Sequence, residues 1–246
     1  EKVYGEFPNA DMGDYKRVVS INPLNMARNG LADYRGKSCK MPLSWEWKKR
    51  RLNDPAVKQA YLQYCRKIIQ SLRPDFLLIG VEVNLLQRCK DSSWQDYMEL
   101  HRFIYGALKK RHPGLPVMAS VVCTSYFPAL CSEDNAADQR AKLKELLPYV
   151  DMLGFSVHPF MSSWTAEKVP DQAFFRELFG LAGNKPFAIT ESSYPAQKWQ
   201  MQVGCWPVKF NGTQEKQAMF LKAMLDASLT HKPSFICWFS IRDYDQ

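Results

Sequence analysis

The sequence predicts an α/β fold of the TIM-barrel class, a (β/α)₈ barrel, as a single barrel domain over residues 1–246. Helix-like and strand-like segments alternate from residue 54 onward, which is typical of parallel β/α units. Several strand-like segments are almost unbroken apolar runs, as in parallel strands that are buried on both faces. Polar and aromatic residues follow these runs, where a TIM barrel keeps its active site, and no glycine-rich phosphate loop follows any of them.

The helices are predicted from apolar residues at helical spacing. In the helix expected over 54–72, Val57, Tyr61 and Ile68 fall on one face. Pro74 ends the pattern, because proline cannot continue a helix. The predicted helices cover 54–72, 94–111, 136–147, 171–182 and 213–230.

The strands are predicted from short apolar runs between these helices. They cover 17–21, 76–81, 116–123, 152–157, 187–190 and 234–240. A TIM barrel has eight strands, and these runs supply six. If 234–240 is the eighth strand, then 17–21 is the third and 2–7 is a degenerate second strand. Either the barrel is incomplete at its N-terminal strands or the native gene product is longer than this chain.

The composition disfavours several kinds of partner and site. The formal net charge is +8, but Lys and Arg are scattered over the predicted helices, so we expect no nucleic-acid partner. No apolar run is long enough to span a membrane, so we expect no membrane partner either. The 7 cysteines form no C-x-x-C pair and the 4 histidines form no His-x-His pair, which argues against a metal-dependent hydrolase or isomerase.

Two glutamates follow strand-like runs that are three strand–helix units apart. Glu82 follows 76–81, and Glu191 follows 187–190. A carboxylate directly after an apolar strand is expected at the mouth of a barrel rather than in its packed interior. Retaining glycoside hydrolysis needs one acid/base and one nucleophile, with carboxyl groups about 5–5.5 Å apart. The pair therefore predicts glycosidase chemistry, which needs no cofactor because the two carboxylates carry the reaction.

Three segments give the chain a family resemblance. They are Ile-Gly-Val-Glu-Val-Asn at 79–84, the segment 151–160, and Ile-Thr-Glu-Ser-Ser-Tyr-Pro at 189–195. With them the chain resembles the retaining glycoside hydrolase superfamily with a (β/α)₈ barrel, of the clan A type, and is most similar there to the endo-β-1,4-galactanases. The resemblance implies that Glu82 is the acid/base after strand four and that Glu191 is the nucleophile after strand seven.

Two further residues are expected near Glu191. His158 ends the sixth strand and is expected either to hydrogen-bond Glu191 or to serve as an ordinary core or loop histidine. Tyr194 follows the nucleophile closely and is expected either to bind the sugar or Glu191, or to pack against Pro195.

Three other residues are candidates for substrate binding. The resemblance implies that Trp238, in strand eight, forms the floor under the cleaved sugar, since an aromatic face suits the C–H groups of a sugar ring. The alternative is an interior tryptophan. Asn22 and Asn84 each follow a predicted strand and are candidate sugar contacts.

Departures from the family pattern keep a second function open. Val81 stands where the family usually has an Asn that binds the sugar 2-hydroxyl, and the strand-two Arg that supports the nucleophile has no obvious counterpart. The alternative is a catalytically weak or inactive barrel that binds carbohydrate.

In both cases the expected partner is a carbohydrate, and the sequence does not predict an oligomeric state. Because residue 1 is Glu rather than Met, we expect a chain that is either processed or truncated. The expected location is secreted or periplasmic.

Overall fold

The structure, a computed structural model, describes residues 14–34, 41–88, 91–128, 130, 134–161, 169–203 and 206–239. The chain divides into two compact units. Unit 1 comprises residues 1–120 and 148–152, and unit 2 comprises residues 121–147 and 153–246. The prediction of a single domain over 1–246 stays a prediction.

Unit 1 holds three parallel strands and the helices between them. Its elements are β1 (Val18–Ser20), α1 (Trp45–Lys48), α2 (Pro55–Leu72), β2 (Phe76–Leu78), α3 (Asp91–Arg111) and most of β3 (Val117–Val122). The strand order is β1–β2–β3, with Val18 opposite Phe76 and Leu77 opposite Val117. A 3-10 helix, Val83–Arg88, follows β2.

The bounds of α2 follow from its end residues. Asp54 caps the start by accepting a hydrogen bond from the Ala56 amide at 2.8 Å, and Pro55 occupies the first helical position. Arg73 ends the helix in the left-handed conformation, with φ 44°. One face of the helix is buried: Val57, Tyr61, Leu62, Cys65 and Ile68.

Unit 2 holds three further strands, a hairpin and three helices. Its elements are α4 (Ala136–Leu146), β4 (Met152–Val157), α5 (Gln172–Gly180), β5 (Phe187–Ser192), β6 (Lys198–Val203), β7 (Trp206–Asn211), α6 (Gln214–His231) and β8 (Ile236–Trp238). Strands β4, β5 and β8 pair in parallel in that order. Strands β6 and β7 form a separate antiparallel hairpin.

The predicted helices all form, whereas some predicted strands are shorter. The run 76–81 yields only Phe76–Leu78 as β2, because the chain turns before Glu82, and the run 234–240 yields Ile236–Trp238. Sequence reasoning missed the hairpin β6–β7. The possible strand at 2–7 lies outside the described residues. Among the described residues, no helix combines the length and hydropathy required to cross a membrane.

A buried chain of hydrogen bonds connects α3 to Tyr149 within unit 1. The Tyr97 hydroxyl lies 3.1 Å from His101 Nδ1, and His101 Nε2 lies 2.8 Å from the Tyr149 carbonyl oxygen. A carbonyl only accepts, so the His101 proton is on Nε2 and Nδ1 accepts from Tyr97. Burial lowers the pKa of His101 to about 4, so this histidine is neutral in the folded protein near pH 7.

Gly80 makes room for the Tyr97 hydroxyl, so we predict that Gly80→Ala destabilises the fold. A Cβ at this position would lie 2.3 Å from Tyr97 Oη and 2.8 Å from Val83 Cγ1. Both neighbours are in buried side chains, so we expect the free energy of unfolding to fall by about 1–3 kcal/mol in urea titrations. Gly106→Ala is the control. A Cβ on Gly106 in α3 meets nothing within 4 Å, so this change should stabilise by about 0.5–1 kcal/mol. Equal effects would contradict the steric argument.

His101 makes stability depend on pH in a defined window. Its folded pKa of about 4 lies below the ordinary 6.5, so only the unfolded chain takes up a proton here as the pH falls from 6.5 to 4. Stability from this residue is thus present above pH 6.5 and is lost on acidification, by up to about 3 kcal/mol. We expect His101→Gln to show a shallower fall in unfolding free energy across this window. The exposed Gln63, replaced by Ala, changes no titratable group and is the control, and a shared slope for all three proteins would refute the assignment.

Candidate active site

Glu82 lies just beyond β2, where strand pairing continues for two residues and then stops. Ile79 N donates to the Met118 carbonyl at 2.9 Å, and Ser120 N donates to the Gly80 carbonyl at 2.9 Å. Glu82 then adopts a left-handed backbone with φ 53°, and its N–H donates to Ser120 Oγ at 3.0 Å. Such a conformation costs a non-glycine residue about 1–3 kcal/mol, so the surrounding contacts must hold it.

Asn22 braces the peptide that precedes Glu82. Its Nδ2 donates to the Val81 carbonyl at 3.3 Å, and its Oδ1 accepts from the Val81 N–H at 3.3 Å. The side chain therefore pairs with both polar groups of Val81. Its predicted contact with sugar stays a prediction, as does that of Asn84, which is 1% exposed at the start of the 3-10 helix.

Arg28 forms a buried ion pair with Glu82. Arg28 Nη2 lies 2.9 Å from Glu82 Oε2, and the two side chains are 8% and 18% exposed. The same guanidinium donates from Nε to the Val81 carbonyl at 3.1 Å. Its Nη1 donates to the carbonyls of Asn25 and Met26 at 3.0 and 3.1 Å. One side chain thus joins the 25–28 turn to the backbone and the carboxylate of the candidate acid/base.

The ion pair bears directly on the chemistry of Glu82. A guanidinium at this distance stabilises the charged form of a carboxylate. A general acid must carry a proton when substrate arrives, whereas a general base must not. The arrangement in unit 1 therefore presents Glu82 in the state of a base. Sequence reasoning missed Arg28, because a lone Arg in a polar loop carries no signal of the fold of that loop.

The strands of unit 2 have one face packed against α5. The Phe155 ring of β4 lies 6.3 Å from the Phe179 ring of α5, between centroids. The Phe187 ring of β5 lies 4.7 Å from that same Phe179 ring. Because side chains alternate along a strand, these contacts identify which positions of β4 and β5 point toward the helix.

A β-bulge at Thr190 turns Glu191 away from this helix-covered face. Phe155 is opposite Ile189, but the next residue, Ser156, is opposite Glu191, so Thr190 is the extra residue. Without the bulge, Glu191 would share the face of Ile189, and with it Glu191 shares the face of Ser156. The Thr190 hydroxyl donates to the Phe155 carbonyl at 3.2 Å and closes the irregular step.

His158 lies between the side chains of Glu191 in β5 and Ser193, which follows that strand. Its Nδ1 is 2.7 Å from Ser193 Oγ, and its Nε2 is 3.7 Å from Glu191 Oε2. The His158 side chain is 9% exposed and that of Glu191 is 37% exposed. The structure thus places His158 next to Glu191, at a distance beyond a direct hydrogen bond. Its role toward Glu191 stays a prediction.

Tyr194 and Trp238 both pack against Phe220 of α6. Tyr194 is 2% exposed and stacks on the Phe220 ring at 5.3 Å, and the Trp238 ring lies 6.1 Å from it. These contacts give both residues a packing function, and their predicted sugar contacts stay predictions.

Cys237 is a neighbour of Glu191 that sequence reasoning missed. Burial, and next the charge of Glu191, raise the pKa of the Cys237 thiol.

No cluster of three His, Cys, Asp or Glu residues that could hold a metal ion occurs in the described part of the chain.

No protein-family model and no curated protein matches the chain, whereas several solved structures do. The Ignisphaera aggregans GH53 catalytic domain has 14% identity and a TM-score of 0.57, over 91% of this chain and 62% of that one. A fungal β-1,4-galactanase structure shows 14% identity and a TM-score of 0.54, over 80% of this chain and 61% of that one. An exo-β-1,4-mannosidase from Opitutaceae bacterium strain TAV5 shows 15% identity and a TM-score of 0.54, over 85% of this chain and 37% of that one.

These comparisons establish the fold. The chain spans between 37% and 62% of the length of these solved proteins. At identities of 14% to 15% the likeness concerns the fold alone. The predicted α/β fold of the (β/α)₈-barrel class is confirmed.

The ion pair predicts that Arg28→Met destabilises the protein. The change removes four hydrogen bonds and leaves the Glu82 carboxylate without its guanidinium partner. We expect a loss of about 2–4 kcal/mol in the free energy of unfolding, measured by urea titration at pH 7. Lys222→Met is the matched control, since Lys222 pairs with Asp226 while 75% exposed. That change should cost less than about 1 kcal/mol, and a similar cost for both would show that the Arg28 contact is weak.

Proposed function

We propose that this chain is the barrel of a retaining glycoside hydrolase that cleaves β-linked bonds of a poly- or oligosaccharide. The bulge at Thr190 is the observation that carries the proposal, because it directs Glu191 away from the helix layer and beside His158. The fold is shared with β-1,4-galactanases and an exo-β-1,4-mannosidase, which supports a β-linked substrate. Galactan as the substrate follows only from the family resemblance.

Each glutamate has a distinct task in this mechanism. Glu191 attacks the anomeric carbon and forms a glycosyl ester, while Glu82 gives its proton to the departing glycosidic oxygen. In the second step Glu82 removes a proton from water, the water attacks the same carbon, and the ester bond to Glu191 breaks. Two inversions give net retention. No cofactor takes part, and the partner is a carbohydrate in a secreted or periplasmic setting.

Arg28 affects the two steps in opposite ways. The second step needs Glu82 as a carboxylate, which is the form that the guanidinium at 2.9 Å stabilises. The first step needs the protonated form, which this contact opposes. Under the proposal, Arg28 must therefore move off Glu82, or weaken its contact, when substrate binds.

A second function is favoured by that same contact. A barrel whose Glu82 stays paired with Arg28 keeps a sugar site but does not protonate a leaving group. Val81 also favours this second function, because an apolar side chain cannot hydrogen-bond the sugar 2-hydroxyl. The alternative is therefore a catalytically weak or inactive carbohydrate-binding barrel.

Hydrolysis assays separate these functions. We expect the parent to turn over aryl β-glycosides or β-1,4-linked galacto- or manno-oligosaccharides, and to release the β anomer first in proton NMR. Glu82→Gln should lower kcat by about 10²–10⁴-fold on unactivated oligosaccharides, because the general acid is lost. Glu191→Ala should show no turnover. The control is Glu177→Gln, since Glu177 is 57% exposed in a surface ion pair and should leave the rate unchanged.

The outcomes distinguish three cases. Release of the α anomer first would contradict the retaining mechanism. Sugar binding in calorimetry without any turnover would favour the carbohydrate-binding barrel. Neither turnover nor binding across the panel would contradict both functions.

A further inference from the structure

We propose that Ser193 is a positioning residue, whose hydroxyl fixes the His158 tautomer that presents an Nε2–H to the Glu191 carboxylate. The proposal rests on the proposed function of Glu191 as the nucleophile. Its starting point is the pair of distances at the imidazole, 2.7 Å from Nδ1 to Ser193 Oγ and 3.7 Å from Nε2 to Glu191 Oε2.

The two neutral tautomers of His158 differ sharply in this setting. A neutral imidazole carries a single N–H, and a serine hydroxyl can either donate or accept. If Ser193 donates to Nδ1, the proton is on Nε2 and an N–H faces the carboxylate. If Ser193 accepts from Nδ1–H, the Nε2 lone pair faces an oxygen of Glu191, and two acceptors oppose each other. In the first arrangement Nδ1 accepts a hydrogen bond and the positive end of the Nε2–H dipole faces the carboxylate 3.7 Å away, so the structure favours it.

Strand geometry builds this arrangement. Ser193 follows directly after β5, two residues beyond Glu191, and both side chains meet the His158 ring. Ser193 N donates to the Val157 carbonyl at 3.3 Å, which keeps the end of β5 beside His158. Ser192, which lies between them, has a different partner, since its hydroxyl donates to the Cys237 carbonyl at 2.9 Å.

The ring is held in place by packing as well as by hydrogen bonding. His158 is 8% exposed, and its ring meets the edge of Phe160 with 6.2 Å between centroids. Phe160 in turn packs against Phe210 of the β6–β7 hairpin at 5.7 Å. A buried ring with an aromatic neighbour has little freedom to rotate, so the Ser193 contact selects the tautomer rather than the ring orientation.

The consequence for the reaction concerns charge. A nucleophilic carboxylate must be ionised and free to approach the anomeric carbon. An Nε2–H beside Oε2 stabilises that charge, while the Glu191 side chain remains 37% exposed for the substrate. Ser193 does this without touching the sugar, so its loss should affect kcat more than KM.

Nitrogen-15 NMR of histidine-labelled protein tests the proposal directly. In the neutral form of the imidazole, which the spectrum itself identifies, we expect His158 to show a protonated Nε2 and an unprotonated Nδ1. His158→Gln assigns the signals. Ser193→Ala should shift them toward the other tautomer, whereas Ser193→Thr, which keeps the hydroxyl, should not. Ser228→Ala is the control, because its hydroxyl bonds the Met224 carbonyl within α6.

Kinetics provide the second readout. Loss of one hydrogen bond that acts through His158 should lower kcat by about tenfold with KM nearly unchanged, and Ser193→Thr should restore the rate. A parent protein with the proton on Nδ1 would overturn the proposal, as would a Ser193→Ala spectrum identical to that of the parent. If Ser193→Ala does not fold, the parent spectrum alone still shows which nitrogen of His158 carries the proton. The expected tautomers in a protein without turnover would support the Ser193 contact while overturning the proposed function.

Discussion

The parallel pairing of β4 and β5 is interrupted by one extra residue, Thr190, and the chemistry proposed for unit 2 depends on that interruption. A regular strand would direct Glu191 toward the helix layer, where Phe155 and Phe187 pack. The bulge reverses the alternation from that point on, so that Glu191 and Ser193 both meet His158. A single local irregularity thus decides which side chains reach the candidate site.

In unit 1 the backbone is also irregular at the candidate glutamate. Here the irregularity is the left-handed backbone of Glu82, which no regular strand supports. Asn22 and Arg28 bind the polar groups of Val81, and Ser120 binds the Glu82 amide, so the strained turn is held on several sides. In both units the backbone departs from regular strand geometry at a candidate carboxylate, through the bulge before Glu191 and the left-handed conformation of Glu82.

The sequence predicted much of the fold because helix and strand periodicities are local properties. It also singled out Glu82 and Glu191 as candidates, since a carboxylate after an apolar run is visible in one dimension, and their roles stay predictions. The hairpin β6–β7 had a signal that was missed: apolar and polar residues alternate over 198–203. Arg28 and the Thr190 bulge had none, because each depends on how distant segments align. Register and loop closure are set by packing in three dimensions, which the residue pattern does not encode.

The ion pair of Arg28 with Glu82 also constrains how this protein can change over evolutionary time. The two residues are 54 positions apart in sequence but share one buried contact. Replacing either alone takes the opposite charge away from its neighbour in a poorly hydrated place, whereas neutral residues at both positions avoid that cost. A lineage that abandons Glu82 must therefore alter Arg28 as well, or pass through a less stable ancestor. Positions 28 and 82 should accordingly covary among homologues, even where the rest of the 22–34 loop drifts.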